Sequence, residues 1–105
     1  MTDKQKHIVE GIISLKKQLN VDKVILFGSR ARGDYNSNSD WDILVLYDKF
    51  SGFTEDFDKY AVPFKKFGDS NNVDIDVHIC TTDAWKSYQN ELLLCYNINN
   101  EGVEL

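Results

Sequence analysis

Ile8, Ile12, Leu15 and Leu19 recur at i, i+4, i+7 and i+11. That spacing lays one apolar stripe along an amphipathic helix over residues 3–19, which Asn20 closes. Val24-Ile25-Leu26-Phe27 is a short apolar run with β-branched members, bounded by Gly28. It reads as a buried strand. Residues 28–39 are rich in Gly, Ser, Asn and Asp. Their first part suits a helical turn and Asp34 to Ser39 a loop. Trp41 to Tyr47 is the second strand, with Trp41, Ile43, Val45 and Tyr47 on one face and Asp40, Asp42, Leu44 and Leu46 on the other.

Phe53, Phe57, Tyr60, Phe64 and Phe67 return to helical spacing, and Pro63 inside the stripe predicts a kink or a break into two pieces. Gly68 to Asn72 is a turn. Val73 to Cys80 is the third strand, with Val73, Ile75, Val77 and Ile79 on one face and Asp74, Asp76 and His78 on the other. Thr82 is placed to cap a last helical region over 83–99. Gly102 ends it, and Val103 to Leu105 follows as a short tail. The order of helices and strands predicts an α/β (α+β) fold, a small sheet flanked by helices.

The 105 residues fit one domain, 1–105. Apolar residues at 42% and aromatics at 12% are enough for a core, and 28% charged residues suit a soluble surface. The formal net charge is −5, and the basic residues are scattered along the chain in nothing larger than pairs, Arg30 and Arg32 among them. Tight binding of DNA or RNA needs many grouped Lys and Arg contacts, so a polynucleotide is not the expected partner. A nucleotide stays open, because a metal ion can bring the positive charge. Cys80 and Cys95 form no C-x-x-C pair, and Cys80 in its apolar run reads as a buried, reduced thiol. Met1 to His7 is polar with no apolar signal core, and no apolar stretch approaches the ~20 residues that span a bilayer. The expected location is the cytoplasm.

Three features carry candidate chemistry. A strand ending in Gly28-Ser29 before a helical turn suits a phosphate: the glycine lets the backbone come close, the hydroxyl can donate, and free N–H groups favour an anion. Alone, the pair reads more simply as a tight turn beside an ordinary serine. Asp40-Trp41-Asp42 places two carboxylates on one strand face, with Cα atoms roughly 6.6–6.8 Å apart. They repel unless a cation sits between them, and Mg²⁺ is a hard ion held by one or two carboxylates plus phosphates. Aspartates that merely end a strand in water give the same pattern. Asp74-Ile75-Asp76 puts acids inside an apolar strand, where Asp is depleted. An edge strand with a wet face is the plain alternative. If this strand neighbours the second, its acid meets Asp40 and Asp42.

Taken jointly, Gly28-Ser29, ten residues, then Asp40-x-Asp42 within "FGSRARGDYNSNSDWDILV" closely resembles the signature of the minimal nucleotidyltransferases, the smallest members of the polymerase-β-like nucleotidyltransferase superfamily. The resemblance runs over most of the chain, from the leading helix to the closing "NNEGVEL". It implies that Gly28 and Ser29 hold the triphosphate of a nucleotide, ATP above all. It implies that Asp40 and Asp42 ligate two Mg²⁺ ions, and that a third-strand aspartate completes the second metal site and helps activate an attacking hydroxyl. Counting back from Thr81 favours Asp76, whereas the simple Val-Asp match at the strand start favours Asp74. Asp76 is the choice, with Asp74 as alternative. Arg30 and Arg32 match the family's basic residues after Gly-Ser and would neutralise phosphate charge, or else stand as solvated charges on the turn. His78 shares the acidic face, as a supporting residue or a plain packed histidine.

Members of this family pair with a small helical HEPN-type protein, as antitoxin to its toxin. The resemblance therefore implies transfer of AMP from ATP to a tyrosine of such a partner. The alternative is a non-catalytic antitoxin that neutralises its partner by occlusion.

Overall fold

The computed structural model describes residues 2–105. Helix α1, Asp3–Leu19, opens on a capping box in which Gln5 N donates to the Thr2 hydroxyl (3.2 Å) and Thr2 N to the Gln5 side chain (2.8 Å). These bonds satisfy two of the orphan donors at the helix start. Asn20 in the left-handed conformation ends it. The remaining elements are β1 (Lys23–Phe27), α2 (Ser29–Arg32), β2 (Trp41–Tyr47), α3 (Phe53–Tyr60), α4 (Val62–Ser70), β3 (Ile75–Thr81), α5 (Thr82–Tyr88), α6 (Leu93–Glu101) and β4 (Val103–Glu104).

The sheet runs β3-β2-β1-β4. β1 is antiparallel to β2 and β4, while β2 and β3 are parallel. A parallel pair needs a long crossover, and α3 with α4 supplies it. One face of the sheet carries Val24, Leu26, Trp41, Ile43, Val45, Ile75 and Val77, packed against Ile8 and Ile12 of α1 and Phe64 of α4. The other carries Phe27, Leu44 and Leu46 under Trp85 of α5 and Ile98 of α6. Both faces of β2 are therefore covered along most of its length, which is why the strand reads as an apolar run broken only by Asp42.

Four local expectations shift. The break in the aromatic stripe falls at Ala61, and Pro63 sits in the first turn of α4, where its missing N–H costs nothing. β3 begins at Ile75, because the Val73 N–H turns back to the Gly68 carbonyl (3.0 Å). The cap of the next helix is Thr81, whose hydroxyl accepts from Ala84 N (3.2 Å), while the Thr82 hydroxyl donates to Asp22. The expected final helix is two helices, and the tail beyond it is a strand, β4, hydrogen-bonded to the edge of β1.

The turn after β2 is held by a buried charge. Asp56 is 2% exposed. It accepts from the Tyr47 hydroxyl (2.7 Å) and from Ser51 N (3.0 Å). Burial works to raise its pKa, but the bonds from Ser51, Tyr47 and Gly52 outweigh it and hold the carboxyl below its usual value. A depressed native pKa gives stability that is full above the unfolded value, about 3.9, and fades as pH falls through the native one. Asp56→Ala should lower the melting temperature at pH 7, and the gap to wild type should narrow on acidification toward pH ~3. Melts at the two pH values check this, and an equal gap at both would remove the carboxylate charge from the account.

Candidate active site

β1 hands the chain to the site at Gly28. Its φ of 73° lies in the region that favours glycine, and a Cβ there would strike the Asp42 carboxylate. Phe27 pairs with Asp42 across the ladder, so the turn and the acid are fixed side by side. The Gly28 carbonyl accepts from Ala31 N (3.1 Å) and Arg32 N (3.0 Å), and Ser29 O accepts from Gly33 N (2.9 Å). Ser29 is thus the first residue of a single helical turn. Among the described residues, its hydroxyl has no hydrogen-bond partner in the protein.

Asp40 lies just before β2 and Asp42 within it, and in the parallel ladder Asp42 sits opposite Asp76. Alternation along each strand sends these side chains to the face that carries Phe27. The Asp42 carboxyl is half-buried. Burial pushes its pKa above the usual carboxylate range, followed by repulsion from Asp76 and then from Asp40; His78 and Arg32 act the other way. His78 Nε2 stands 3.5 Å from Asp76 Oδ2, and its ring tilts against Phe27 at 5.6 Å.

Of the residues singled out in the sequence, Gly28, Ser29, Asp40, Asp42, Asp76, His78 and Arg32 come together at this end of the sheet. Asp74 does not take part in β3: it precedes the strand, exposed, and meets β2 through its backbone carbonyl, which accepts from Trp41 N (2.8 Å). Arg32 is spread between Asp34 and Glu101, each at 3.4 Å. Arg30 turns to the other side. It donates from Nε and Nη2 to the Ser39 carbonyl (3.3 and 3.1 Å), with its guanidinium over the rings of Tyr35 (4.5 Å) and Trp41 (4.7 Å). As the chain stands, Arg30 braces the loop before β2.

Helix α6 also borders the site. Its Leu94, Asn97 and Glu101 line a cleft of about 200 Å³ with Phe27, Gly28 and Arg32. Their spacing of i, i+3 and i+7 marks one helix face, a signal that was present but gave no chemistry by itself.

Among the described residues, no three His, Cys, Asp or Glu side chains form a ready metal cage. The donor set nevertheless fits a hard cation that arrives with oxygens of its own. Asp42 is an acid pressed by two others, and a cation there relieves the repulsion that lifts its pKa. Mg²⁺ takes one or two carboxylates and fills its octahedron with phosphate oxygens and water. Asp40, Asp42 and Asp76 are the residues that would hold it.

A family model described as "Nucleotidyltransferase domain" matches residues 8–99. The protein adenylyltransferase MntA of Aphanizomenon flos-aquae is 65% identical over 26 residues, covering 25% of this chain and 17% of that one. A relative from Methanocaldococcus jannaschii, described as a candidate protein adenylyltransferase, is 49% identical over 45 residues, covering 37% of this chain and 46% of its own. The matched segments thus span less than half the length of these relatives. A solved toxin–antitoxin complex with AMP-PNP shares the fold at a TM-score of 0.64 and 22% identity, over 90% of this chain and 69% of that one. With the Gly-Ser turn, the acids of β2 and β3 and the match over 8–99 in agreement, the chain belongs to the nucleotidyltransferase domain family.

Proposed function

We propose that this protein transfers a nucleoside monophosphate, AMP from ATP, to a hydroxyl on a partner protein: a tyrosine of a HEPN-type toxin. The carrying observation is the meeting of Asp40, Asp42 and Asp76 beside Gly28-Ser29. Gly28 and Ser29 receive the terminal phosphates, the hydroxyl donating to phosphate oxygen. Asp40, Asp42 and Asp76 would hold two Mg²⁺ ions, which supply positive charge to the attacking and leaving oxygens of an in-line displacement. Asp76, exposed at the front of β3, also takes the proton of the incoming hydroxyl. The acceptor oxygen bonds to the α-phosphorus as the bond to the bridging oxygen breaks, and pyrophosphate leaves. Arg32 borders the same turn and offsets phosphate charge, whereas Arg30 acts on the loop. The toxin–antitoxin setting of the structural relative supports a protein acceptor. A cytoplasmic location suits the free thiols Cys80 and Cys95, and no helix among the described residues is long and apolar enough to cross a membrane.

One observation favours the occlusion reading. Leu92, Leu93, Leu94 and Tyr96 are exposed, Leu93 at 75%, and could cover a partner without chemistry. A single experiment separates the two. The purified protein, a HEPN-type partner, Mg²⁺ and ATP labelled in the α-phosphate should yield label on partner tyrosine. Ser29→Ala should weaken the transfer and Asp40→Asn stop it. Neutralisation that survives Asp40→Asn with no label on the partner would favour occlusion.

A further inference from the structure

Behind the acids, on the α1 side of the sheet, lies a cavity of about 350 Å³ that the chemistry above does not use. Ile8, Val73 and the rings of Trp41 and Tyr35 give it apolar walls, and Lys4 and Arg30 also line it. No acidic side chain does, in a chain of net charge −5. Among the described residues neither Lys4 nor Arg30 has an ion-pair partner. A smaller space of about 50 Å³ adjoins it and shares the walls Arg30, Tyr35 and Trp41.

A second feature belongs to a residue of that wall. Trp41 is 4% exposed, and its indole N–H is the single buried side-chain polar atom among the described residues with no hydrogen-bond partner. A buried donor without an acceptor is costly and calls for a reason. Tyr35, exposed on the loop, stacks with the Arg30 guanidinium at 4.5 Å.

We infer that this cavity is a binding site for a small aromatic anion, distinct from the nucleotide site. The ligand's flat body lies against the Tyr35 and Trp41 rings that wall the cavity. Its carboxylate or phosphate faces Arg30 and Lys4. Apolar walls with a few converging donors of one sign are the usual make-up of such a site. Arg30 follows Ser29 and Trp41 stands between Asp40 and Asp42, so an occupant touches both arms of the catalytic end from behind.

The two tryptophans of the chain make the test specific. In ¹⁵N-labelled full-length protein, benzoate and phenyl phosphate are titrated while the indole signals of Trp41 and Trp85 are followed, assigned with Trp85→Phe. At least one probe should shift the Trp41 signal saturably with a dissociation constant of about 1 mM or tighter, leaving Trp85 still. Arg30→Gln should weaken that binding about tenfold, the loss of a charge-assisted contact. Ser37→Trp, which fills the mouth without touching the core, should abolish it, and Asp42→Asn should leave it intact. Absence of a saturable Trp41 shift with both probes up to about 10 mM overturns the inference, as does undiminished binding in Ser37→Trp.

Discussion

Replacing Asp42 by Asn is expected to act in opposite directions on stability and on function. In the metal-free protein the variant should melt a few degrees higher than wild type at pH 7. The Asp42 carboxyl is held above its usual pKa by burial, then by Asp76 and Asp40. The native state therefore binds a proton more readily at this position than the unfolded chain does. Stability then falls as pH rises from the unfolded value, about 3.9, through the raised native one. At neutral pH the ionised carboxylate stands in the fold at a cost, which Asn removes while keeping the shape. With Mg²⁺ and ATP the order should reverse. Wild type gains by mass action on the native state, the variant gains nothing, and transfer drops by ~10²-fold or more. Thermal melts with and without Mg²⁺·ATP read both effects. A variant that keeps the ligand shift would remove Asp42 from the cation site, and one that melts no higher than wild type without metal would remove the cost of the buried charge.

The second large effect separates two neighbours in sequence. Asp76→Asn should cost transfer ~10²-fold or more, the range for losing a general base or a metal ligand. Asp74→Asn should leave most activity. The difference follows from the parallel ladder, in which Asp42 faces Asp76 and Asp74 precedes the strand. Asp76 also bears on the Asp42 carboxyl, and Asp74 is not among the charges that do. A rate assay on the two variants decides it. A dead Asp74→Asn beside an active Asp76→Asn would put the third carboxylate at Asp74.

The sequence made the helix over 3–19 and the strands around Gly28 and Asp42 legible, because apolar spacing and local caps agree there. The break near Pro63 was legible in kind but not in place, since a proline is tolerated in a first helical turn and the stop comes two residues earlier. The tail strand escaped because Val103 and Glu104 become a strand only through the open edge of β1. Such pairing is tertiary context that a two-residue segment cannot signal. The same limit governed the site. The Gly-Ser turn and D-x-D are local and could be read directly. Choosing between Asp74 and Asp76 depended on where β3 starts, and that is set by the Val73 N–H turning back to Gly68. Arg30 and Arg32 look equivalent in sequence, yet one turn of helix sends them to opposite sides. The face of α6 beside Gly28 required the long-range packing of Ile98 under the sheet.

In the proposed transfer the new bond forms at the α-phosphorus. Two parallel reactions address it, with protein, partner, Mg²⁺ and ATP carrying label in either the α- or the γ-phosphate. α-Label should become covalently attached to the partner while γ-label is recovered in pyrophosphate. Partner that carries γ-label and lacks α-label would show phosphoryl transfer instead, and would contradict it.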